Sequence, residues 1–327
     1  MHSARMSTRL VLLVTAMLSG PAFGQAPDTF PTRPISVVIP GSPGGASELW
    51  LRLFGQRISA NSPGWNFVID FKPGATGTLG LAYAAKAASD GYTLITLSSS
   101  LTSSPLVQKN LPYDPIKSFT PISLLSNSGS LYIVHASFPA RTIKEYAAYG
   151  KANPGKINFG TSGIGSSPHL NGIWLHQLLG IEVTYVPYKS PGTMMAGVQS
   201  GEVHIASGGT FMRPLLKGGK GHALGVTTAG RIKSLPDVPT MVEQGATGFV
   251  YGAWTGIAGP AGLPSTIANR ISAEFIKAGK HPEMLKKLAE ADQDTGGSTP
   301  EEFASLITTE TLRWRKLAAE TNMKFEE

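Results

Sequence analysis

The sequence contains no cysteine, and this absence excludes several kinds of chemistry. A chain of 327 residues without cysteine has no disulfide framework and no thiolate nucleophile. It also has no cysteine beside a cleaved leader that could carry a lipid. If the chain is exported, we therefore expect the mature protein to diffuse freely.

Long hydrophobic runs and charge clusters are also missing. Beyond the N-terminal region, no segment approaches the eighteen or so uncharged apolar residues that a membrane-spanning helix needs. Lys and Arg (28) exceed Asp and Glu (21), but the basic residues are spread along the chain without a block of five like charges. A nucleic-acid-binding surface requires clustered basic residues with aromatic residues between them. We therefore expect no nucleic-acid partner.

Catalytic and metal-binding motifs are absent as well. There is no G-x-S-x-G sequence, no H-E-x-x-H sequence and no closely paired carboxylates of the glycosidase type. His169 and His176 are seven residues apart, but a zinc site would need further ligands that the sequence does not offer. The sequence therefore predicts a protein that is not an enzyme and that holds no metal and no cofactor.

The N-terminus has the three parts of a secretory signal peptide. Residues 1–24 combine a basic start, an apolar run at 10–20 and small residues, and cleavage is expected after Gly24 or Ala26. The apolar run is too short to serve comfortably as a membrane anchor. We expect the mature protein in a bacterial periplasm.

Short β-rich runs alternate with helical patterns along most of the chain, which predicts an α/β fold with mainly parallel sheets flanked by helices. The strand-like runs are 35–40, 66–71, 92–98, 119–125, 131–136, 157–162, 182–188, 203–209 and 223–228. The helical patterns are 47–58, 79–88, 142–152, 168–180, 192–201, 264–279, 281–291 and 299–320.

The order of these segments predicts two lobes joined by two chain crossings. Residues 27–127 together with 249–327 would form the first lobe, and residues 128–248 would form the second. A single sheet would need too many strands, and three separate domains would be too small. Two lobes with two crossings leave a cleft that can close on a ligand.

The sequence GSPGGAS at 41–47 forms a glycine-rich turn between a predicted strand and a predicted helix. Such a loop presents backbone N–H groups to an anion. Asp70, at the end of the next strand, is where a dinucleotide-binding protein would place its ribose-binding acid. The glycine spacing fits neither the dinucleotide nor the P-loop motif, so a small anion is the favoured ligand.

Two further polar clusters follow predicted strands. The sequence GTSGIGSSPHL at 160–170 opens a helix of the second lobe and offers Thr161, Ser162, Ser166 and Ser167 as donors. A cluster that begins at Ser98 follows the strand at 92–98. Ligands of open α/β sheets bind beyond the carboxyl ends of the strands, where these clusters are expected to lie.

Several ordered segments resemble one family closely, the solute receptors of tripartite tricarboxylate transporters, often called Bug receptors. The resemblance covers nearly all of the mature chain but does not specify the ligand. It is carried by RPISVVIPGSPGG (33–45), KPGATGTLG (72–80), DGYTLITLS (90–98), LPYDPIKSFTPI (111–122), KANPGKINFGTSGIGSSPHL (151–170), VPYKSPG (186–192), LPDVPTMVEQG (235–245), WTGIAGPAGLP (254–264) and TPEEF (299–303).

The resemblance implies a two-lobed periplasmic binding protein of the type II-like class. Such a receptor captures a small organic carboxylate and passes it to integral-membrane permease subunits, and we expect it to be a monomer. A receptor that signals to a membrane partner is the alternative. With Ser98, the residues expected to bind the ligand are Ser42, Pro43, Gly44, Gly45, Ala46, Ser47, Thr161, Ser162, Gly163, Gly165, Ser166, Ser167 and His169.

The chain departs from the family pattern in ways that bear on the ligand. Glu48 replaces the usual Asp, Phe71 replaces an Asn, and Gly197 replaces a frequent Asp. A pocket with few carboxylates does not easily pair with an ammonium group, so a dicarboxylate or an aromatic acid is favoured over an amino acid. Glu48 would either face the ligand or favour the start of its own helix. Aromatic residues near the loops and crossings could line an apolar wall: Trp50, Phe71, Tyr188, Phe211 and Trp254.

Overall fold

Two five-stranded sheets divide the chain into two lobes, which confirms the predicted two-lobed α/β architecture. The computed structural model describes residues 30–108, 110–163, 166–188, 191–293 and 296–321. The expected leader and its cleavage site lie outside these residues. Within the described ranges, no helix has both the length and the apolar character needed to cross a membrane.

Lobe 1 is built around a sheet with the strand order β2-β1-β3-β10-β4. Its strands are β1 (Ile35–Ile39), β2 (Phe67–Phe71), β3 (Thr93–Ser98), β4 (Phe119–Gly129) and β10 (Gly252–Pro260). β1 pairs in parallel with β2 and β3, whereas β10 runs antiparallel to β3 and β4. Four strands therefore point one way and one is reversed.

Lobe 2 repeats this plan with the order β7-β6-β8-β5-β9. Its strands are β5 (Leu131–His135), β6 (Ile157–Thr161), β7 (Val183–Pro187), β8 (Ile205–Gly208) and β9 (Gly221–Val226). β6 is parallel to β7 and β8, and β5 is the reversed strand. In each lobe the reversed strand is the one that enters from the other lobe. It starts at the cleft, where the parallel strands end, and so runs in the opposite direction.

Helices cover the sheets, and their apolar faces form the core together with the apolar residues of the strands. They are α1 (Ala46–Asn61), α2 (Thr78–Ala85), α3 (Ser100–Val107), α4 (Ile143–Ala152), α5 (Ser167–Leu179), α6 (Pro191–Ser200), α7 (Arg213–Lys217), α8 (Ser265–Gly279), α9 (Pro282–Glu290) and α10 (Pro300–Thr321). On α1, Trp50, Phe54 and Ile58 lie on one face at helical spacing and pack into the core of lobe 1.

The start of α10 shows how local sequence fixes a helix boundary. The Thr299 hydroxyl accepts a hydrogen bond from the Glu302 N–H (3.2 Å), and the Glu302 carboxylate accepts one from the Thr299 N–H (2.9 Å). This reciprocal pair is a capping box, and Pro300 occupies the first position of the helix. The predicted start at 299 follows from these three residues.

The lobes meet at two chain crossings and at a helix contact behind them. The first crossing lies between Gly129 and Leu131, and the second precedes Gly252. On α10, Trp314 and Leu317 pack against Leu170 of lobe 2. The cleft between the lobes therefore has its closed side at the strands β4, β5 and β10 and at the contact between α10 and α5.

Candidate functional site

A cavity of about 340 Å³ lies in lobe 1 at the carboxyl ends of its parallel strands. Six segments contribute to it: the loop after β1, the start of α1, the end of β3, the end of β4, the start of β10 and the residue Gln293 after α9. This is where open α/β sheets bind ligands. The described residues that line it are Ile39, Pro40, Gly41, Ser42, Gly45, Ala46, Ser47, Trp50, Thr96, Ser98, Ser99, Ser126, Ser128, Ala253, Trp254, Thr255 and Gln293.

The N-terminus of α1 forms one wall of this cavity. Gly45 is the N-cap residue, with φ −84° and ψ 167°, and no side chain caps the helix. The first N–H groups of a helix have no partner within it, and the helix dipole adds positive potential there. Gly45, Ala46 and Ser47 border the cavity, so this wall suits an anion.

Glu48 does not line the cavity but stabilises the loop in front of α1. Its carboxylate accepts hydrogen bonds from the Gly44 N–H (2.7 Å) and from Arg52 Nε (2.7 Å). The Gly44 N–H and the Arg52 guanidinium lower the pKa of Glu48, so the carboxylate is charged at neutral pH. Glu48 was expected either to face the ligand or to favour the start of its own helix. The structure shows it in the second role, bonded to the Gly44 N–H and to Arg52.

The end of β3 brings hydroxyl groups to the cavity, and the neighbouring strand β10 brings the Trp254 indole. The Ser98 and Ser100 hydroxyls are 2.8 Å apart, and the Ser99 N–H donates to the Trp254 carbonyl at 3.3 Å. The Trp254 indole N–H donates to the Glu310 carboxylate at 2.9 Å. Glu310 lies on α10 and is 4% exposed. Thr102 also donates to this carboxylate, at 3.1 Å.

The second predicted loop lies apart from this cavity. Ser167 lines a smaller inter-lobe cavity of about 10 Å³, which shares Ser99 with the larger one. The Ser166 hydroxyl donates to the Gly163 carbonyl of its own loop (2.6 Å), and Thr161 is buried at the end of β6. Thr161, Ser162, Gly163, Ser166 and His169 are not among the residues that line the larger cavity.

His169 packs into lobe 2. Its ring meets the ring of Tyr185 edge to face, with centroids 5.0 Å apart, and burial lowers the pKa of His169. In the first loop, Pro43 and Gly44 stand outside the cavity lining, while Ser42, Gly45, Ala46 and Ser47 belong to it. Gly165 lies outside the described residues. Ligand binding by each of these residues remains a prediction.

Several cavity residues were not predicted from the sequence. Ser126 and Ser128 lie on β4, which continues four residues beyond the predicted end, and their i, i+2 spacing places them on one face of the strand. Thr255 lies on β10, which the sequence pattern did not identify as a strand. Gln293 follows α9. Of the five aromatic residues considered for a pocket wall, Trp50 and Trp254 border the cavity.

The cavity is polar but uncharged. None of the described residues that line it is acidic or basic, and its polar groups are hydroxyls, one side-chain amide and backbone N–H groups. Among all the residues that the structure describes, no group of three or more His, Asp or Glu side chains is placed so that it could hold a metal ion. The arrangement offers hydrogen-bond donors to an anion.

Two lobes, two crossings and a polar cavity at the cleft define a solute-binding protein. A family model described as the tripartite tricarboxylate transporter family receptor matches residues 57–323, so the chain belongs to this family. It is a binding receptor and not an enzyme. A UPF0065 protein in the tcbD-tcbE intergenic region of Pseudomonas sp. strain P51 is 33% identical over 97% of this chain and 95% of its own length.

Solved structures of similar proteins share the fold. The R. palustris protein Rpa4515 with adipate is 30% identical, with a TM-score of 0.73 over 89% of this chain and 98% of that one. MatC from Rhodopseudomonas palustris with bound malate is 29% identical, with a TM-score of 0.70 over 88% and 99%. The periplasmic binding protein BugD is 29% identical, with a TM-score of 0.71 over 91% and 100%.

Proposed function

We propose that this protein captures a small organic carboxylate in the periplasm and delivers it to the permease subunits of a tripartite tricarboxylate transporter. The observation that carries this proposal is the uncharged, hydroxyl-rich cavity that ends on the N-terminus of α1. A carboxylate bound there would accept backbone N–H and hydroxyl hydrogen bonds, and the helix dipole would favour its charge.

The same lining argues against cationic ligands. An ammonium group removed from water needs an acidic partner, and the described cavity lining includes no Asp or Glu. Glu48, the nearest candidate in sequence, already bonds to the Gly44 N–H and to Arg52. A free amino acid would therefore bind less well than a carboxylic acid of similar size without the amino group.

The ligand class that we favour is a dicarboxylate or an aromatic acid. The cavity volume of about 340 Å³ is at the lower end of the range for small-molecule sites, which is about 300–1,000 Å³. The similar proteins with adipate and with malate support a dicarboxylate. Trp50 and Trp254 offer indole surface at the cavity wall, which would suit an aromatic acid.

A thermal-shift screen of the purified protein tests the ligand class. The panel contains adipate, malate, succinate, citrate, benzoate and phthalate, with glucose, leucine and putrescine as members of other classes. A ligand at 100 times its dissociation constant adds about 2.7 kcal/mol of stability. We expect at least one carboxylate to raise Tm. A response to the sugar or the amine alone would contradict the proposal.

A deletion strain tests the delivery step. If the protein serves a transporter, loss of its gene abolishes uptake of the radiolabelled carboxylate identified in the screen, and a plasmid copy restores it. Uptake that continues unchanged, together with loss of a transcriptional response to the same carboxylate, would identify the receptor as a sensor instead.

A further inference from the structure

Among the residues that the structure describes, an ion pair joins the lobes on the cleft side, away from the crossings. Arg213, at the start of α7 in lobe 2, places Nη1 3.2 Å from Oδ2 of Asp292, which follows α9 in lobe 1. The Asp292 side chain is 1% exposed and that of Arg213 is 31% exposed. The Asp292 carboxylate is thus removed from water and faces a cation of the other lobe.

Asp292 lies in a tight turn with an uncommon backbone conformation. Asp292 has φ +53°, in the left-handed region that Asp tolerates better than most residues. The next residue, Gln293, donates its N–H to the Leu288 carbonyl (2.8 Å), so the turn is tied back onto α9. Gln293 also lines the ligand cavity, so the ion pair and the cavity are connected by one peptide unit.

The surroundings of the pair are a groove of about 400 Å³ between the lobes. Lobe 2 contributes Arg231 and Lys233, and lobe 1 contributes Asp292 as the acidic residue among the described groove residues. Arg231 pairs with Glu243 of its own lobe at 3.1 Å. The groove therefore has the Lys233 ammonium on its lobe 2 side and the Asp292 carboxylate on its lobe 1 side, while Arg231 is paired within lobe 2.

We propose that Arg213 and Asp292 form a latch that holds the two lobes together and thereby sets ligand affinity without contact with the ligand. When the lobes separate, both groups return to water. When the lobes meet, each group needs the other, because a buried charge that loses its partner is strongly disfavoured. Removal of either partner therefore shifts the lobes toward the open arrangement.

The latch differs in kind from the contact at the closed side of the cleft. There, Leu170, Trp314 and Leu317 join the lobes through apolar packing beside the crossings, where relative movement is smallest. The ion pair lies on the other side of the ligand cavity and can dissociate when the lobes separate. Arg213 and Asp292 are thus positioning residues, and their effect on affinity rests on the proposed function.

The distance between the lobes can be measured without any ligand. The chain lacks cysteine, so spin labels attach only at introduced cysteines. Lys217→Cys on α7 and Lys280→Cys after α8 place labels on exposed positions of different lobes. Double electron–electron resonance then gives the distance distribution for the labelled parent and for Asp292→Asn, Arg213→Gln and the double variant.

We expect each single variant to raise the population at long distances about fivefold or more, the lower range of typical conformational coupling. The double variant should raise the long-distance population no more than either single variant, because both single variants remove the same contact. Arg213→Lys keeps the charge and should retain most of the parent distribution. Single variants whose distributions superimpose on that of the parent would overturn the latch.

The exposed pair Lys286–Glu290 on α9 supplies matched controls. Lys286→Gln and Glu290→Gln change the net charge by the same amounts as the latch variants but lie within one helix, so the distances should not change. Equal shifts in these controls would contradict the latch, because general charge would explain the result. Circular dichroism confirms that each compared variant is folded.

Ligand affinity separates the latch from the proposed function. With the carboxylate selected by the thermal-shift screen, Asp292→Asn should weaken binding about fivefold or more through faster dissociation. Longer distances with unchanged affinity would contradict the role of the latch in binding. If no carboxylate binds the parent but the Arg213 and Asp292 variants still show longer distances between the lobes, the proposed function fails and the latch between the lobes stands.

Discussion

At the scale of single residues, the proposed recognition would depend on backbone N–H groups more than on charged side chains, because the described cavity lining contains no charged residue. The loop before α1 contains one such group that is already used, because the Gly44 N–H donates to Glu48. This bond fixes the loop and leaves the helix start at Ala46 and Ser47 facing the cavity. A carboxylate ligand bound to the N–H of Ala46 or Ser47 would therefore repeat, two or three residues later, the hydrogen bond that the Glu48 carboxylate accepts from the Gly44 N–H.

Ala46→Pro removes one of these N–H groups with little change to the helix. Proline suits the first helical position, and the extended ψ of 167° at Gly45 suits the residue before a proline. Loss of one hydrogen bond to a carboxylate should weaken binding about tenfold or more, as isothermal titration calorimetry can measure. The free energy of unfolding should change little.

Ser265→Pro is the matched control for this variant. Ser265 is the first residue of α8, follows the extended N-cap Pro264 and is not among the residues lining the cavity. It should leave affinity unchanged. Equal affinities for Ala46→Pro and the parent would contradict the role of the α1 N-terminus.

A buried histidine predicts how stability depends on pH. His176 Nε2 lies 2.9 Å from the Tyr146 hydroxyl, Nδ1 lies 2.8 Å from that of Tyr185, and burial lowers the pKa of His176 to about 3. The unfolded chain has the higher pKa, near 6.5, and so binds more protons below that pH. The contribution of neutral His176 to the free energy of unfolding is fully present above pH 6.5. As the pH falls from 6.5 to about 3, this contribution decreases by up to about 1.4 kcal/mol per pH unit.

His176→Gln keeps hydrogen-bonding capacity but removes this titration. Its free energy of unfolding, measured with urea between pH 7 and pH 4, should fall less steeply than that of the parent. Parallel curves for the two proteins would show that His176 does not contribute to the acid sensitivity.

At the scale of elements, α10 supports the cavity wall through one carboxylate. Glu310 accepts hydrogen bonds from Trp254 and Thr102 and pairs with Arg313 at 3.5 Å, while burial raises the pKa of Glu310. Glu310→Ala leaves a buried indole N–H, a hydroxyl and a guanidinium without this acceptor. We expect the free energy of unfolding to fall by about 3–5 kcal/mol in urea denaturation.

Glu320→Ala, on the same helix, is the matched control. Glu320 forms an exposed pair with Lys316 at 3.7 Å, and such pairs contribute at most about 1 kcal/mol. If both variants lose the same stability, Glu310 acts only through its charge or helix propensity, and the proposed support of Trp254 is wrong.

Element patterns predicted most of the fold because the strands of each lobe are short apolar runs separated by helices. β10 escaped prediction because Gly252, Gly256 and Gly259 break its apolar pattern. The Cβ that a side chain would add at Gly256 would lie 2.2 Å from the Phe303 ring, so packing against α10 requires this glycine. α3 was missed because five of its eight residues are Ser, Thr or Pro, which are weak helix formers.

The site was predictable where it depends on loop chemistry and not where it depends on the packing of the lobes. The glycine turn before α1 and Ser98 at the end of β3 follow from local sequence, and both border the cavity. Gln293 and Thr255 reach it only through the arrangement of α9 and β10. The cross-lobe pair of Arg213 and Asp292 joins residues 79 positions apart, and no local pattern links them.

At the scale of the whole molecule, the chain joins two similar α/β lobes through connections of different character. The crossings and the apolar contact between α10 and α5 lie on one side of the cleft, and the ion pair from α7 to the end of α9 lies on the other. The ligand cavity lies between them. We therefore expect closure on a ligand to be a rotation about the crossings that forms or keeps the proposed ion pair.

The central claim is that a carboxylate binds in the lobe 1 cavity against the start of α1. A crystal structure of the protein with the carboxylate that gives the largest thermal shift tests this most directly. The account predicts a carboxylate oxygen about 2.7–3.2 Å from the backbone nitrogen of Ala46 or Ser47. The hydroxyl of Ser98 or Ser126 should donate a further hydrogen bond to the ligand. A ligand held elsewhere, with no contact to the N-terminus of α1, would contradict it.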